Sequence, residues 1–95
     1  PIIYIPNTFT PDGDEHNHVF LPVFTSGYDP YNYEMMIFDR WGEVIFESHD
    51  AEIGWDGTYG GAKSVQDGVY TYKIVYKVKK TDERRLIVGH VTLIR

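Results

Sequence analysis

The sequence contains no cysteine among its 95 residues. Disulfide bonds and thiolate chemistry are therefore excluded, and cysteine usage gives no information on the redox compartment. No apolar run approaches the roughly 20 residues of a membrane-spanning helix, and no charged and then apolar leader opens the chain. The chain begins at Pro1 without an initiator methionine. We therefore expect residues 1–95 to form a single soluble domain, cut from a longer polypeptide.

Residue patterns typical of catalysis are also missing. None of the three serines lies in a Gly-x-Ser-x-Gly elbow. The four histidines, at positions 16, 18, 49 and 90, show no zinc-type spacing. The sequence therefore predicts neither an enzyme nor a small-molecule substrate.

Charge is unevenly distributed along the chain, whose net charge is −5. Residues 1–67 contain twelve acidic and two basic side chains, whereas residues 68–95 contain two acidic and seven basic ones. The overall negative charge would repel phosphate groups, so nucleic-acid binding is not predicted. Two interpretations of the asymmetry remain: two oppositely charged, solvated faces, or a basic docking edge formed by the last two strands.

Aromatic residues, eight of them tyrosine, are abundant, which is typical of a β-rich domain. The longest predicted strand spans residues 69–80, where every second residue from Tyr70 to Val78 is apolar. We expect this face to join the core. Residues 85–95 are predicted to return antiparallel to it, with a bulge at Gly89.

Two further apolar stretches predict a hairpin with arms at residues 33–38 and 43–47. Its turn, residues 39–42, contains an Asp for local hydrogen bonds and a Gly that can adopt a positive φ. Shorter strands are predicted at residues 1–6, 19–24 and 63–65, and loops at residues 7–18 and 26–32. No helical period occurs. The predicted fold class is therefore all-β, an immunoglobulin-like antiparallel β-sandwich of about seven strands.

Each of the two tryptophans allows two interpretations. Trp41 lies at the hairpin tip, where it either folds back to cap the core or stands out for a partner. Trp55 either plugs the sandwich, with Asp56 capping its turn, or forms a sugar-stacking platform with Tyr59. The sequence favours the plug for Trp55 and leaves both alternatives open for Trp41.

The predicted loop at residues 7–18 offers three oxygen ligands on a tight turn, Asp12, Asp14 and Asn17. Such ligands suit Ca²⁺, the one cofactor that the sequence suggests. The loop lacks the ending of an EF-hand, because Val23 stands where the closing glutamate would be. The alternative is an Asx-turn loop whose carboxylates accept hydrogen bonds from backbone N–H groups.

Five blocks of sequence stand out in order along the chain. They are Ile-Pro-Asn-Thr-Phe-Thr-Pro-Asp-Gly-Asp at residues 5–14, Ile-Phe-Asp-Arg-Trp-Gly at 37–42, Gly-Trp-Asp-Gly-Thr-Tyr at 54–59, Asp-Gly-Val-Tyr-Thr-Tyr-Lys-Ile at 67–74 and Gly-His-Val-Thr-Leu-Ile-Arg at 89–95. Together they resemble the gliding-motility-associated C-terminal domain, the type B sorting domain of the Bacteroidota type IX secretion system. The loop departs from the family pattern at Asp12, Glu15 and His18, and the loss of a carboxylate at position 18 weakens the calcium interpretation.

The resemblance implies a sorting domain at the C-terminus of a large secreted or surface protein, with the cargo upstream in the same chain. It implies passage across the outer membrane through the type IX translocon, with a PorP/SprF-type outer-membrane barrel protein as partner. Gliding itself would belong to the cargo.

Aromatic and Arg side chains most often carry interface energy, so Arg40 and Trp41 at the hairpin tip are candidate partner-binding residues. The alternative for Arg40 is an ion pair with Asp39 or Glu43. The other candidates lie in the terminal strand, which could add to the sheet of a partner: Val91, Leu93, Ile94 and Arg95. The alternative function is a carbohydrate-binding or adhesive surface module that uses exposed aromatics.

Overall fold

The structure is a computed structural model, and it describes residues 3–11, 18–60 and 63–95. Within these residues the regular elements are all β-strands, and no helix of the length and apolarity needed to span a membrane is present. The strands are β1 (Ile3–Tyr4), β2 (Thr8–Phe9), β3 (Val23–Phe24), β4 (Tyr28–Phe38), β5 (Val44–Ser48), β6 (Thr58–Tyr59), β7 (Lys63–Ser64), β8 (Gly68–Val78) and β9 (Arg84–Leu93).

Five strands form the main sheet in the order β2-β9-β8-β4-β5, and two small sheets pair β1 with β3 and β6 with β7. The long strands β4, β8 and β9 pair antiparallel, which confirms the pairing predicted for β9 with β8. The edge strand β2 instead runs parallel to β9, so the sheet is mixed. The predicted all-β, immunoglobulin-like sandwich is confirmed, with the main sheet as one layer and the short strands on its inner face.

The alternation predicted for β8 is confirmed. Its inner face carries the buried side chains Tyr70, Tyr72, Ile74, Tyr76 and Val78. Successive side chains of a strand point to opposite faces of the sheet. These five residues alternate along β8, so all five side chains lie on the same face and enter the core. Aromatic rings of the second layer pack on these tyrosines: Phe20 on Tyr72, Trp55 on Tyr70 and Phe24 on Tyr76, with centroid distances of 5.3, 5.1 and 5.1 Å.

Trp55 lies at the centre of that second layer and is completely buried. It forms an isolated bridge with Phe20, in which each backbone N–H donates to the other carbonyl at 2.8 and 2.9 Å. Its indole Nε1–H donates to the Thr58 carbonyl at 2.9 Å, and the Asp56 carboxylate accepts from the Thr58 N–H. The plug predicted for Trp55 is therefore confirmed, and the sugar-stacking platform is wrong because the indole face is covered.

The predicted hairpin is confirmed as β4 and β5, with an irregularity between Ile37 and Phe38. β4 begins at Tyr28, inside the predicted loop at residues 26–32, and its pairing with β8 is irregular between Tyr28 and Tyr33. The Asp29 carboxylate accepts hydrogen bonds from the Tyr31 N–H and the Asn32 amide. The turn-type hydrogen bonds predicted for this stretch are therefore present, but they lie within the irregular part of β4.

Two further predictions are corrected. Gly89 is not a bulge, because β9 pairs with β8 without a register shift. The predicted loop at residues 7–18 contains β2, whose neighbour Asn7 accepts the Thr92 N–H at 2.8 Å, while Phe9 accepts the Ile94 N–H at 3.1 Å. The calcium candidates Asp12, Asp14 and Asn17 lie outside the described residues.

Candidate partner-binding surface

The turn between β4 and β5 is fixed by one side chain. Asp39 Oδ1 accepts hydrogen bonds from the backbone N–H groups of Trp41 and Glu43, both at 2.9 Å. The Asp39 carbonyl accepts the Gly42 N–H, and the Asp39 N–H donates to the Glu43 carbonyl, both at 3.0 Å. Gly42 has a φ of +82°, a conformation that side chains with a Cβ rarely adopt. The turn therefore holds a defined conformation at the surface.

Trp41 points away from the core, with 82% of its surface exposed. The guanidinium of Arg40 lies 5.8 Å from the centroid of the Trp41 ring, at the distance of a cation–π contact. Within the described part of the chain Arg40 makes no ion pair with Asp39 or Glu43. Of the alternatives that the sequence left open, Trp41 takes the outward one.

A cleft of about 310 Å³ lies beside this turn. One wall is the turn itself, and the other is the segment that leads into β8. Its lining combines aromatic, acidic and basic side chains: Asp39, Arg40, Trp41, Ile45, Tyr59, Val65, Gln66, Asp67, Val69 and Tyr70, together with Gly68. We refer to this concavity as the tip cleft.

Tyrosine hydroxyls hold the walls of the tip cleft. Tyr59 Oη donates to the Glu43 carboxylate just after the turn, and this hydrogen bond raises the pKa of Tyr59. Tyr70 Oη donates to the Gln66 carbonyl at 2.6 Å. Burial raises the pKa of Tyr70, although the nearby Arg95 and Arg40 guanidinium groups act in the opposite direction. Both phenols are therefore neutral donors at physiological pH.

Arg95 supports the same cleft from behind. Its guanidinium donates to the carbonyls of Val65 and Gly57 at 2.6 and 3.2 Å, and to Asp67 Oδ1 at 3.1 Å. Its backbone N–H donates to Asp67 Oδ2 at 2.9 Å. Arg95 thus bridges β9 and the segment that lines the cleft, and most of its donors are engaged within the domain.

The six predicted partner-binding residues are not brought together as one surface. Arg40 and Trp41 share the hairpin tip, and Ile94 is about half exposed. Val91 and Leu93 are completely buried, because their alternation along β9 directs them into the core opposite Tyr70 and Gly68. In this fold their side chains are beyond the reach of a partner. The local alternation of Val91, Thr92 and Leu93 was the sequence signal that could have revealed this.

A cluster that sequence reasoning missed lies on β4, on β5 and just beyond β5. Ligand atoms of Glu34, Glu47 and His49 lie within 4.8 Å of one another. His49 Nε2 is 2.8 Å from the Glu47 carboxylate. The register that pairs Met36 with Glu47 brings these side chains together, and this register is not readable from their sequence spacing. Glu47 and His49 are exposed and already paired with each other.

Comparison with known proteins assigns the family. The model of the CHU_C type IX secretion signal domain matches residues 3–93. The chain belongs to this family. A protein that carries a type IX secretion signal is exported to the cell surface or secreted, and the sorting-domain resemblance of the sequence is thereby confirmed.

A solved structure supports the fold of this type IX secretion signal domain. PorZ, described as an essential bacterial surface component of the type-IX secretion system of Porphyromonas gingivalis, is similar with a TM-score of 0.51 and 18% sequence identity. The match covers 99% of this chain and 11% of the PorZ chain, so the domain spans about a tenth of that relative. At this identity the likeness concerns the fold alone. No curated protein matches the chain.

Proposed function

We propose that residues 1–95 form a single C-terminal sorting domain whose hairpin tip is bound by the type IX translocon or a PorP/SprF-type outer-membrane barrel protein. The cargo would be the N-terminal part of the same, longer chain. Arg40 and Trp41 would make the central contacts, and the tip cleft would receive a side chain of the partner. The domain would act by recognition and not by catalysis, and its route would lead through the periplasm and across the outer membrane.

The exposure of Trp41 is the observation that carries this proposal. Trp55, the other tryptophan, is completely buried, whereas Trp41 leaves 82% of its surface in solvent. An exposed indole on a surface turn contributes little to folding, but Trp and Arg are the side chains most enriched at interface hot spots. Asp39 fixes the turn beneath it. A preformed turn reduces the conformational entropy that binding would otherwise cost.

The tip cleft adds chemical detail. Its volume of about 310 Å³ is enough for one or two side chains of a partner. Arg40 and Asp67 line it with opposite charges beside the apolar Val69. The arrangement therefore suits a mixed protein surface better than a patch of one charge.

A reporter fusion tests the proposal. The domain is attached to the C-terminus of a periplasm-directed reporter enzyme in a host with a type IX system, and the reporter is assayed in the medium and at the cell surface. Trp41→Ala is expected to reduce export sharply. Truncation of a hot-spot aromatic side chain costs about 2 kcal/mol of binding free energy, which weakens binding roughly 30-fold. Arg40→Ala should have a smaller effect in the same direction.

Tyr31→Ala is the matched control, because Tyr31 is an aromatic with 94% exposure that lies on β4 away from the hairpin tip. Its fusion should be exported normally. Normal export of the Trp41→Ala fusion would overturn the proposal for the tip. Glycan binding by the domain that depends on Trp41, without any effect on export, would support the adhesive alternative instead.

A truncation of residues 93–95 is a weaker test than these point variants. Leu93 is completely buried, and Arg95 holds the segment behind the cleft. Loss of export after such a truncation would therefore follow from unfolding as readily as from a lost contact. The surface variants change no core residue.

A further inference from the structure

Strand β9 is paired on both sides for only a short part of its length. On one side it pairs with β8 from Arg84 to Leu93. On the other side β2 covers it only at Thr92 and Leu93. No strand of the described residues pairs with that second side between residues 84 and 90. We call this unpaired segment the open edge.

The backbone groups of the open edge point outward. The N–H groups of Thr92 and Ile94 donate toward β2, to the carbonyls of Asn7 and Phe9. Backbone groups alternate between the two sides of a strand with a period of two, so the even-numbered residues of β9 share this direction. The N–H and C=O groups of Leu86, Val88 and His90 therefore face away from β8.

The open edge lacks most of the features that protect natural edge strands from pairing. It contains no proline and no bulge, and the register of β9 with β8 is continuous over all ten residue pairs from Arg84 to Leu93. Two aliphatic side chains next to it, Leu86 and Val88, are 62% and 60% exposed. Long, regular and partly apolar edges are the ones to which another strand adds.

Positive charge is the one protection that the open edge retains. Lys77 and Arg85 are paired with Asp82 and Glu83. Arg84 and Lys73 lie on the outer face of the sheet and have no acidic partner in the described part of the chain. A second copy of this edge carries the same cations and offers them no opposite charge, whereas an acidic segment does.

We propose that the open edge binds an extended acidic segment of another protein as an added strand. The segment spans about seven residues, pairs with the backbone of Leu86, Val88 and His90, and directs carboxylates over the outer face toward Arg84 and Lys73. Backbone hydrogen bonds supply the affinity, and charge selects the partner. This site is separate from the hairpin tip and does not depend on the role proposed for Trp41.

Peptide binding to the 95-residue chain tests this site. The probes are two synthetic heptapeptides, one alternating valine with glutamate and one alternating valine with lysine, measured by calorimetry at low salt. The glutamate peptide is expected to bind and the lysine peptide is not. Added salt should weaken binding, because the charges lie at the surface.

Two variants locate the binding. Val88→Pro removes an N–H that faces the open edge and that β8 does not use, a position where an edge strand tolerates proline. Val88→Pro should lower the affinity for the glutamate peptide about ten-fold. Val88→Thr, which keeps the N–H, should bind this peptide as tightly as the unmodified chain does. Arg84→Glu should also weaken binding, and Lys80→Glu, an equal charge reversal in the turn after β8, should have a smaller effect.

Circular dichroism checks that each variant is folded. If Val88→Pro is unfolded, Arg84→Glu is the variant that tests the site. Equal binding of the two peptides, full binding to both Val88→Pro and Arg84→Glu, or no binding of the glutamate peptide to the unmodified chain would each overturn the proposal. A dimer that Val88→Pro dissociates would also overturn it, in favour of a second copy as the occupant. Each result is independent of whether the Trp41→Ala fusion is exported.

Discussion

The ring of Tyr72 lies against the backbone of Gly89, its partner in the register between β8 and β9. A Cβ added to Gly89 would lie 2.6 Å from Tyr72 Cζ, far inside van der Waals contact. The ring cannot easily move away, because it also packs on Phe20. Gly89→Ala should therefore destabilise the domain by about 1–3 kcal/mol, as measured by urea unfolding.

Val88→Ala is the control for this variant, since Val88 is exposed on the opposite face of the same strand. It should cost about 0.5 kcal/mol or less. A Gly89→Ala domain as stable as the original would show that the ring can shift at no cost. A Gly89→Ala, Tyr72→Ala double variant would then measure the coupling directly.

The two tryptophans should respond in opposite ways to truncation. Trp55→Ala removes the largest fully buried side chain and is expected to cost about 3–5 kcal/mol. Trp41→Ala should change the free energy of unfolding by about 0.5 kcal/mol or less. Fluorescence quenching by acrylamide provides a second readout: it should be strong in a Trp55→Phe domain, where only Trp41 emits, and weak in a Trp41→Ala domain.

Asp39 should act on the turn through its hydrogen bonds and not through its charge. Asp39→Asn keeps an acceptor oxygen for the Trp41 and Glu43 N–H groups and should preserve the turn. Asp39→Ala leaves both donors to solvent and should cost about 1 kcal/mol. Amide hydrogen exchange at Trp41 and Glu43 should accelerate in the Ala variant alone, and acceleration in both variants would contradict this account.

Tyr33 makes the domain sensitive to alkali. Its hydroxyl is buried without a partner among the described groups, and burial raises the pKa of Tyr33, with smaller contributions from Tyr28 and Asp50. A raised folded-state pKa favours the neutral form, so this contribution to stability is complete below the unfolded pKa of about 10 and is lost as pH rises above it. The melting temperature should fall steeply above that pH.

Tyr33→Phe should make this fall shallower, because it removes one titrating group and an unpaired buried hydroxyl. Near neutral pH the variant should be equally stable or more stable by about 1 kcal/mol. Tyr31→Phe is the control, since Tyr31 is almost fully exposed. An unchanged pH dependence in Tyr33→Phe would assign the alkaline transition to other tyrosines, such as Tyr70 and Tyr72.

Strand alternation and turn residues in the sequence predicted the long strand β8 and the hairpin, which are formed by residues close together in the chain. The alternation of Tyr70, Tyr72 and Ile74 marked the core face of β8, and the turn residues at 39–42 marked the hairpin. The pairing of Thr8–Phe9 with β9 was not predicted, because a parallel contact between residues far apart leaves no periodic signal at either end. Short strands in a polar stretch look like loops.

The sequence showed which side chains of the candidate site suit an interface, but not which of them lie together on the surface. The sequence identified Arg40 and Trp41, but the direction of the indole depends on how Asp39 folds the turn. Val91 and Leu93 were assigned to a partner although alternation places them in the core. The sequence suggested a docking edge at the last strand, but not which part of β9 lacks a neighbouring strand, because that depends on where β2 pairs.

The parallel pairing of β2 with β9 also bears on the order of events during folding. Phe9 and Leu93 are paired neighbours in the finished core, yet they lie near opposite ends of the chain. Such a contact has a high loop-closure entropy and slows folding, typically into the millisecond-to-second range for β-rich domains. Neither the pairing of β2 with β9 nor the support that Arg95 gives to the tip cleft can form until residues 92–95 are available. The domain can therefore complete its folding only after the chain has been synthesised through these residues.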